Sequence, residues 1–299
     1  MNIFLDNVNL NSHSGPNGFG KKLMLEIESK GIHKFTSSDP DVQLSFITST
    51  KKIAPLALRL DGIYFNTRQD WEVNNRPIKK SFDEADTVIY QSEFNRRLTE
   101  KYFGTPKKSV VIGNGTCLET VSNKSPIKSE VLDKFGEVWA CSSSWRPHKR
   151  LKENVRYFLD NSPRDACLVV AGENPDYKIN DPRVLYAGHM TWDDCISLYK
   201  RSKVFLHLAF LDHCPNVVVD ARASGCKVIV ASSGGTREIS GPESLVVQDM
   251  EWDLRPLDLY SPPPLDFTKT FVNNIQSSID IKETALKYTQ TLLEISRQK

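Results

Sequence analysis

The feature that most constrains this chain is alternation. Short runs of aliphatic and β-branched residues are separated, one after another, by segments with helix-like patterning. Strand, helix and strand repeated in series pair most readily as parallel strands joined by crossover helices. The ordering therefore predicts an α/β protein with parallel sheets covered by helices. In the first part of the chain the strand candidates are 2–6, 42–48, 57–60, 87–91 and 109–112, with helices at about 18–29 and 92–103. Residues 116–128 show no apolar periodicity and carry Ser, Asn, Lys and Pro, the composition of a linker. A second alternation follows, with strands at 138–142, 166–171, 184–186, 204–208, 227–231 and 245–247 and helices at about 149–159, 191–202 and 216–224.

Residues 258–264 contain three consecutive prolines and read as an extended connector. Beyond them Asp280 and Glu283 fit a capping box, and Ile281, Ala285, Tyr288, Leu292 and Ile295 form one apolar stripe at helical spacing. The expected organisation is a Rossmann-like domain over 1–122, a second over 123–265 and a helical tail over 266–299 free to pack back across the cleft. Two such units in series turn the C-terminal ends of their strands toward a shared central cleft. Ligands of open α/β sheets bind at those ends, so the chemistry is expected in the loops after the strands.

Composition excludes several classes. A formal charge of +2 on 299 residues gives no electrostatic footprint for nucleic acid. The six cysteines form no CxxC pair and several sit in strand-like runs, as buried reduced thiols of a cytoplasmic protein do. The opening MNIFLD lacks a basic region and a long apolar stretch, so no signal peptide is expected. The longest apolar run, 204–211, is interrupted by His207 and is too short to span a bilayer.

The most informative stretch is 210–238. Asp212 follows a strand, Pro215-Asn216 opens a helix, and Asp220 lies inside that helix, seven residues separating the two acids. Proline suits a helix start, and the N–H groups just beyond it form an anion site. One short segment thus offers a carboxylate before an anion site and another beyond it, which a sugar diphosphate requires. The alternative is that Asp212 merely caps the helix and Asp220 is solvated. The loop 144–150 brings Arg146, His148, Lys149 and Arg150 to a helix start, as a phosphate contact or as a solvated basic loop.

These residues resemble glycosyltransferase family 4, retaining enzymes of the GT-B fold. Asp212 and Asp220 stand at the two positions of its E-x7-E motif, Gly225 follows the helix, and Gly234-Gly235 with Glu238 matches the "GG-x-x-E" beyond. Further matches occur in order at Gly15 to Gly20, Ala85 to Ser92, Ile112 to Gly115, Leu168 to Glu173 and Val184 to Gly188, so the resemblance spans about 2–250. It implies α/β architecture with two Rossmann-like parallel-sheet domains facing a central cleft, and a nucleoside-diphosphate sugar as donor. By that resemblance Asp220 bonds the ribose, backbone N–H groups of Asn216 and Val217 hold the distal phosphate, and Asp212 contacts the transferred sugar. Lys149 neutralises the leaving diphosphate, and the loop at Gly188-His189 lies near the base.

Three positions depart from the family. Both glutamates are shortened to aspartate. The arginine five residues before the lysine is Ser144, with Arg146 two positions later as a substitute cation. Asp61 stands where the family often has a histidine, either orienting the acceptor hydroxyl or the sugar C6 region, or capping a turn before Gly62.

The pattern Gly15-x-x-Gly18-x-Gly20 runs opposite to the dinucleotide fingerprint and starts too far from the first strand, which disfavours an NAD enzyme with Asp39 on its ribose. Gly18 and Gly20 are instead expected to let the backbone approach donor phosphate and acceptor. Asp39-Pro-Asp41 precedes a strand and reads as a turn, not a metal motif, and the histidines lack ligand spacing. The expected activity is metal-independent hexosyl or pentosyl transfer with no cofactor beyond the donor. The acceptor is open among glycan, lipid, protein and modified nucleic acid. A catalytically degenerate sugar-nucleotide-binding subunit and a sugar-nucleotide epimerase are the alternatives.

Overall fold

The structure is a computed structural model that describes residues 1–12 and 14–297. The chain divides into two compact units. The first comprises 1–117, 254–257 and 278–299, and the second 118–253 and 258–277.

Among the described residues the first unit holds strands β1 (Asn2–Asp6), β2 (Lys34–Phe35), β3 (Val42–Phe46), β4 (Leu56–Leu60), β5 (Thr87–Tyr90) and β6 (Ser109–Val111). They form one all-parallel sheet in the order β2-β1-β3-β4-β5-β6. Its helices are α1 (Gly15–Glu28), α2 (Trp71–Glu84) and α3 (Glu93–Phe103). α1 begins three residues before the expected start, because Pro16 occupies its first turn. The expected glycine-rich loop is therefore helix: the Gly18 N–H donates to Ser14 O at 2.8 Å. A Cβ on Gly20 would sit 2.9 Å from Val8 Cγ1, so glycine there allows close packing.

α2 lay outside the sequence expectation. Its buried face includes Asn75 and Ser81 beside Ile78 and Phe82, and Pro77 interrupts it, so the apolar period is faint. The helix is nonetheless capped, with Asp70 accepting from the Val73 N–H at 3.1 Å.

The second unit contains α4 (Leu118–Asn123), β7 (Glu137–Ser142), α5 (Leu151–Asn161), β8 (Ala166–Ala171), β9 (Val184–Gly188), α6 (Trp192–Arg201) and β10 (Val204–His207). It continues with α7 (Asn216–Ala223), β11 (Lys227–Ala231), α8 (Thr236–Ile239), β12 (Leu245–Val247) and β13 (Thr270–Val272). The sheet order is β9-β8-β7-β10-β11-β12-β13, parallel except for β13, which runs antiparallel against β12. The six parallel strands thus have the doubly wound Rossmann order, which reverses between β7 and β10, and a ligand crevice is expected outside the carboxyl ends of those two strands. Its core gathers Trp139, Leu168, Leu206 and Ile229 from the sheet with Leu151, Val155 and Phe158 from α5.

The last helix, α9 (Ile281–Ser296), belongs to the first unit, where it packs on α1, β3 and β4. Its five stripe residues Ile281, Ala285, Tyr288, Leu292 and Ile295 are all buried in that unit's core. Each large side chain so buried contributes about 1.5–3 kcal/mol. Asp280 caps the helix by accepting from the Lys282 N–H at 2.9 Å. A Cβ on Gly115 would come within 2.9 Å of the Ile281 backbone, so this glycine lets the start of α9 dock. The expected tail is thus split: β13 completes the second sheet and α9 the first core.

Candidate functional site

The crevice predicted by the strand order is lined by loop 143–150, after β7, and loop 208–215, after β10. Pro147–Lys149 form one 3-10 turn, and Arg150, at φ 51°, turns the chain from it into α5. The Phe210 N–H donates to His148 O at 2.7 Å. Asn154 bridges the loops, donating to Arg150 O at 2.8 Å and accepting from the Leu208 N–H at 3.2 Å. Underneath, the buried Arg150 guanidinium grips both oxygens of buried Asp249, at 2.6 and 3.1 Å, donates to Pro263 O at 2.7 Å and lies over the Phe210 ring. The Arg150 charge thus anchors the loop, while Lys149 and Arg146 are the cations left for the crevice. Arg146 is exposed and makes no ion pair among the described residues.

Asp212 meets Lys149. Its Oδ2 lies 2.5 Å from Lys149 Nζ and 3.0 Å from His207 Nε2. Burial alone would raise the carboxyl's pKa, but Lys149 and His207 outweigh it and hold Asp212 well below the usual carboxylate range. Leu211, at φ 54°, bends the chain so that Asp212 turns back toward the strand end. The Gly234-Gly235 pair fixes this bend: the Gly235 N–H donates to Asp212 O at 2.8 Å, and a Cβ on Gly234 would lie 2.4 Å from that oxygen. Ser233 Oγ accepts from the Leu211 N–H at 3.3 Å and donates to Asp249 at 2.6 Å. His148 is buried, and its pKa is pushed down to about 3 by burial and then by the Lys149 charge. Burial likewise pushes His213 down to about 4.

α7 starts behind Pro215 with no side-chain cap, so Asp212 is not its cap. Asn216 and Val217 occupy its first turn, where the helix dipole has its positive end. Asp220 is buried one turn further on and accepts from Trp192 Nε1 at 2.9 Å. Gly188 and His189 lie beyond β9, lining a cavity of about 550 Å3 with Glu173, Asn174, Lys178 and Tyr186. His189 Nδ1 is 3.5 Å from Glu173 Oε1, both side chains being exposed. Gly172, at φ 113°, sits so close to Ser143 O that a Cβ would be 1.9 Å from it, which brings the β7 and β8 loops together.

In the first unit Asp61 follows β4. Its Oδ1 takes the Arg59 guanidinium and, at 2.7 Å, the amide of Gln91. Burial pushes the carboxyl's pKa up against the pull of Arg59. Arg59 is wholly buried between the rings of Phe19 and Phe46, donates to Asn114 at 2.9 Å and reaches Tyr288 Oη at 3.1 Å. Asp61 is therefore part of a polar network and not a simple turn cap. Gly18 and Gly20 lie in α1 of the same unit.

The structure thus joins Lys149 directly to Asp212, sets Arg146 in the same loop, and places Asn216, Val217 and Asp220 on the helix that follows. Sequence reasoning missed His207, Asp249, Ser233 and Arg59. The one signal was a charged or polar residue inside an apolar strand run, as at His207 and Arg59.

Residues 140–253, which contain all the second-unit candidates, match the family model described as glycosyl transferases group 1. No curated protein matches the chain. Among solved structures, a glycosyltransferase from Rickettsia africae is similar at TM-score 0.64 and 12% identity, covering 100% of this chain and 99% of that one. Sucrose-phosphate synthase from Thermosynechococcus elongatus is similar at TM-score 0.63 and 13% identity, covering 100% and 97%. HepE of Anabaena, solved in complex with UDP, is similar at TM-score 0.61 and 15% identity, covering 99% and 92%. With its two Rossmann-like units of parallel-dominated sheet, the chain has the GT-B fold of these glycosyltransferases.

Proposed function

We propose that this chain is a retaining, metal-independent glycosyltransferase of family 4 type that uses a nucleoside-diphosphate sugar. The observation that carries the reading is the meeting of Lys149 with Asp212 at the reversal point of the second sheet, directly before the N-terminus of α7. A cation, a helix N-terminus and a carboxylate in sequence suit a diphosphate joined to a sugar.

In the reaction, the bond between the anomeric carbon and the diphosphate oxygen breaks, and its electron pair leaves with the diphosphate. The acceptor oxygen bonds to the same carbon on the same face, and its proton passes to the leaving diphosphate. Lys149, Arg146 and the first-turn N–H groups of Asn216 and Val217 stabilise the charge that develops there. Asp220 accepts from the ribose, Asp212 borders the sugar, and the cavity at Gly188 and His189 takes the base. Asp61, in its polar network, is the first unit's candidate for the acceptor. Orientation and charge compensation supply the catalysis, which is why the reading needs no separate nucleophile. HepE, which binds UDP and UDP-glucose, has the same fold and supports the donor class. Six free thiols, four of them buried, suit a cytoplasmic protein.

A thermal-shift screen of UDP, GDP and ADP and their sugars tests the donor site. A ligand at about 100 times its Kd should add roughly 2.7 kcal/mol. Donor hydrolysis without acceptor, absent in Lys149→Ala, then tests transfer. Binding without any turnover would instead make the chain a sugar-nucleotide-binding subunit.

A further inference from the structure

His207 ends β10 and is almost completely buried. Its Nε2 lies on the same oxygen of Asp212 that meets Lys149. Burial pushes the ring's pKa down, so the ring is neutral at pH 7, and the ionised Asp212 can only accept. The proton of the shared hydrogen bond therefore resides on Nε2, and His207 donates. One carboxylate oxygen thus holds two donors, one charged and one neutral.

The charged donor is the residue assigned above to the diphosphate. Turning Lys149 toward a phosphate would strip a largely buried carboxylate of its one cationic partner among the described residues, and an uncompensated charge with little access to water is costly. A neutral donor that stays in place lowers that cost without competing for the phosphate.

We propose that His207 is a positioning residue that allows Lys149 to pass from Asp212 to the donor diphosphate, by keeping the largely buried carboxylate hydrogen-bonded once the ammonium has left. This rests on the donor-site reading above. It follows that without the ring N–H, Asp212 grips Lys149 harder and diphosphate binding weakens. With Asp212 uncharged, His207 ceases to matter.

The test uses the full chain with His207→Phe, His207→Gln, Asp212→Asn and the double variant His207→Phe with Asp212→Asn. One readout needs no ligand: the rate at which acetic anhydride acetylates Lys149, followed by peptide mass spectrometry. The other is the Kd of UDP, GDP and ADP by calorimetry. His207→Phe should slow acetylation several-fold and raise the diphosphate Kd about tenfold, the scale of one hydrogen bond to a charged group. His207→Gln, which keeps an amide donor, should retain most of both. Asp212→Asn should speed acetylation, and adding His207→Phe to it should change neither readout. Unchanged acetylation and affinity in His207→Phe would overturn the proposal, as would an equal further loss in the Asp212→Asn background, which marks a packing role. Wild-type protein that binds none of the three diphosphates overturns the donor-site reading and the handover to phosphate with it. The acetylation pattern then decides the His207–Asp212–Lys149 linkage alone.

Discussion

Lowering the pH from 7 to 5 should weaken the second unit through His148, well before its carboxylates titrate. In the unfolded chain this histidine takes up a proton near pH 6.5, whereas in the folded protein burial and Lys149 push that event down to about pH 3. Between those values the unfolded state binds more protons, so stability falls as pH falls. At pH 5 the unfolded side chain gains about 1.36 kcal/mol for each of roughly 1.5 pH units below its ordinary value, or about 2 kcal/mol. His213 and His207, shifted in the same direction, add to the loss. Asp212 does not: its carboxyl is held below the usual range, so its contribution persists until the pH drops below about 4. Urea unfolding followed by tryptophan fluorescence is a suitable assay, since Trp139, Trp145, Trp192 and Trp252 lie in the second unit and only Trp71 in the first. His148→Gln removes the titrating ring. Whatever its stability at pH 7, the variant should lose about 2 kcal/mol less than wild type on going to pH 5. Equal losses in the two proteins would refute the reasoning.

Three further outcomes are expected. Asp220→Ala removes the acceptor assigned to the ribose, so calorimetry should show nucleoside diphosphate binding weakened about tenfold, for a charged hydrogen bond of about 1.5–3 kcal/mol; an unchanged Kd in a folded variant would show that Asp220 serves the fold and not the ribose. Gly234→Ala places a methyl group against Asp212 O at φ 77°, so it should lower the Tm and the turnover together, at a cost on the order of 1–3 kcal/mol; a variant with wild-type melting and activity would contradict the close approach. Transfer should persist in excess EDTA, because Lys149 and Arg146 are assigned the charge on the leaving group; complete loss restored by manganese would sink that assignment.

Legibility in the sequence followed the strength of the local pattern. The core strands were visible because they are continuous apolar runs buried on both faces, and each parallel strand of the second sheet begins and ends within two residues of its expected limits. α9 was visible because its stripe is unbroken. α2 was hidden by Asn75 and Ser81 on its buried face, and β2 and β13 by being only two and three residues long. In the site, Asp212, Asp220 and Lys149 stood out through the order of their motifs. The partnership of His207 with Asp212 did not, because it depends on the positive φ of Leu211 folding the loop back on the strand end. No strand or helix period encodes a five-residue return of that kind. Reading Asp212 as a helix cap failed for a related reason, since Pro215 occupies the capping position.

The placement of α9 bears on how the protein is made. On the ribosome β1 to β6 are made before the second unit, yet the core they build stays incomplete until Ile281, Ala285, Tyr288, Leu292 and Ile295 follow that unit. Until then Arg59 lacks Tyr288, and the apolar face formed by α1, β3 and β4 has no cover. The second unit, whose segments end at residue 277, can close while the first still waits. The strands of the first unit are therefore the ones left open to chaperones and proteases while the second unit is being made.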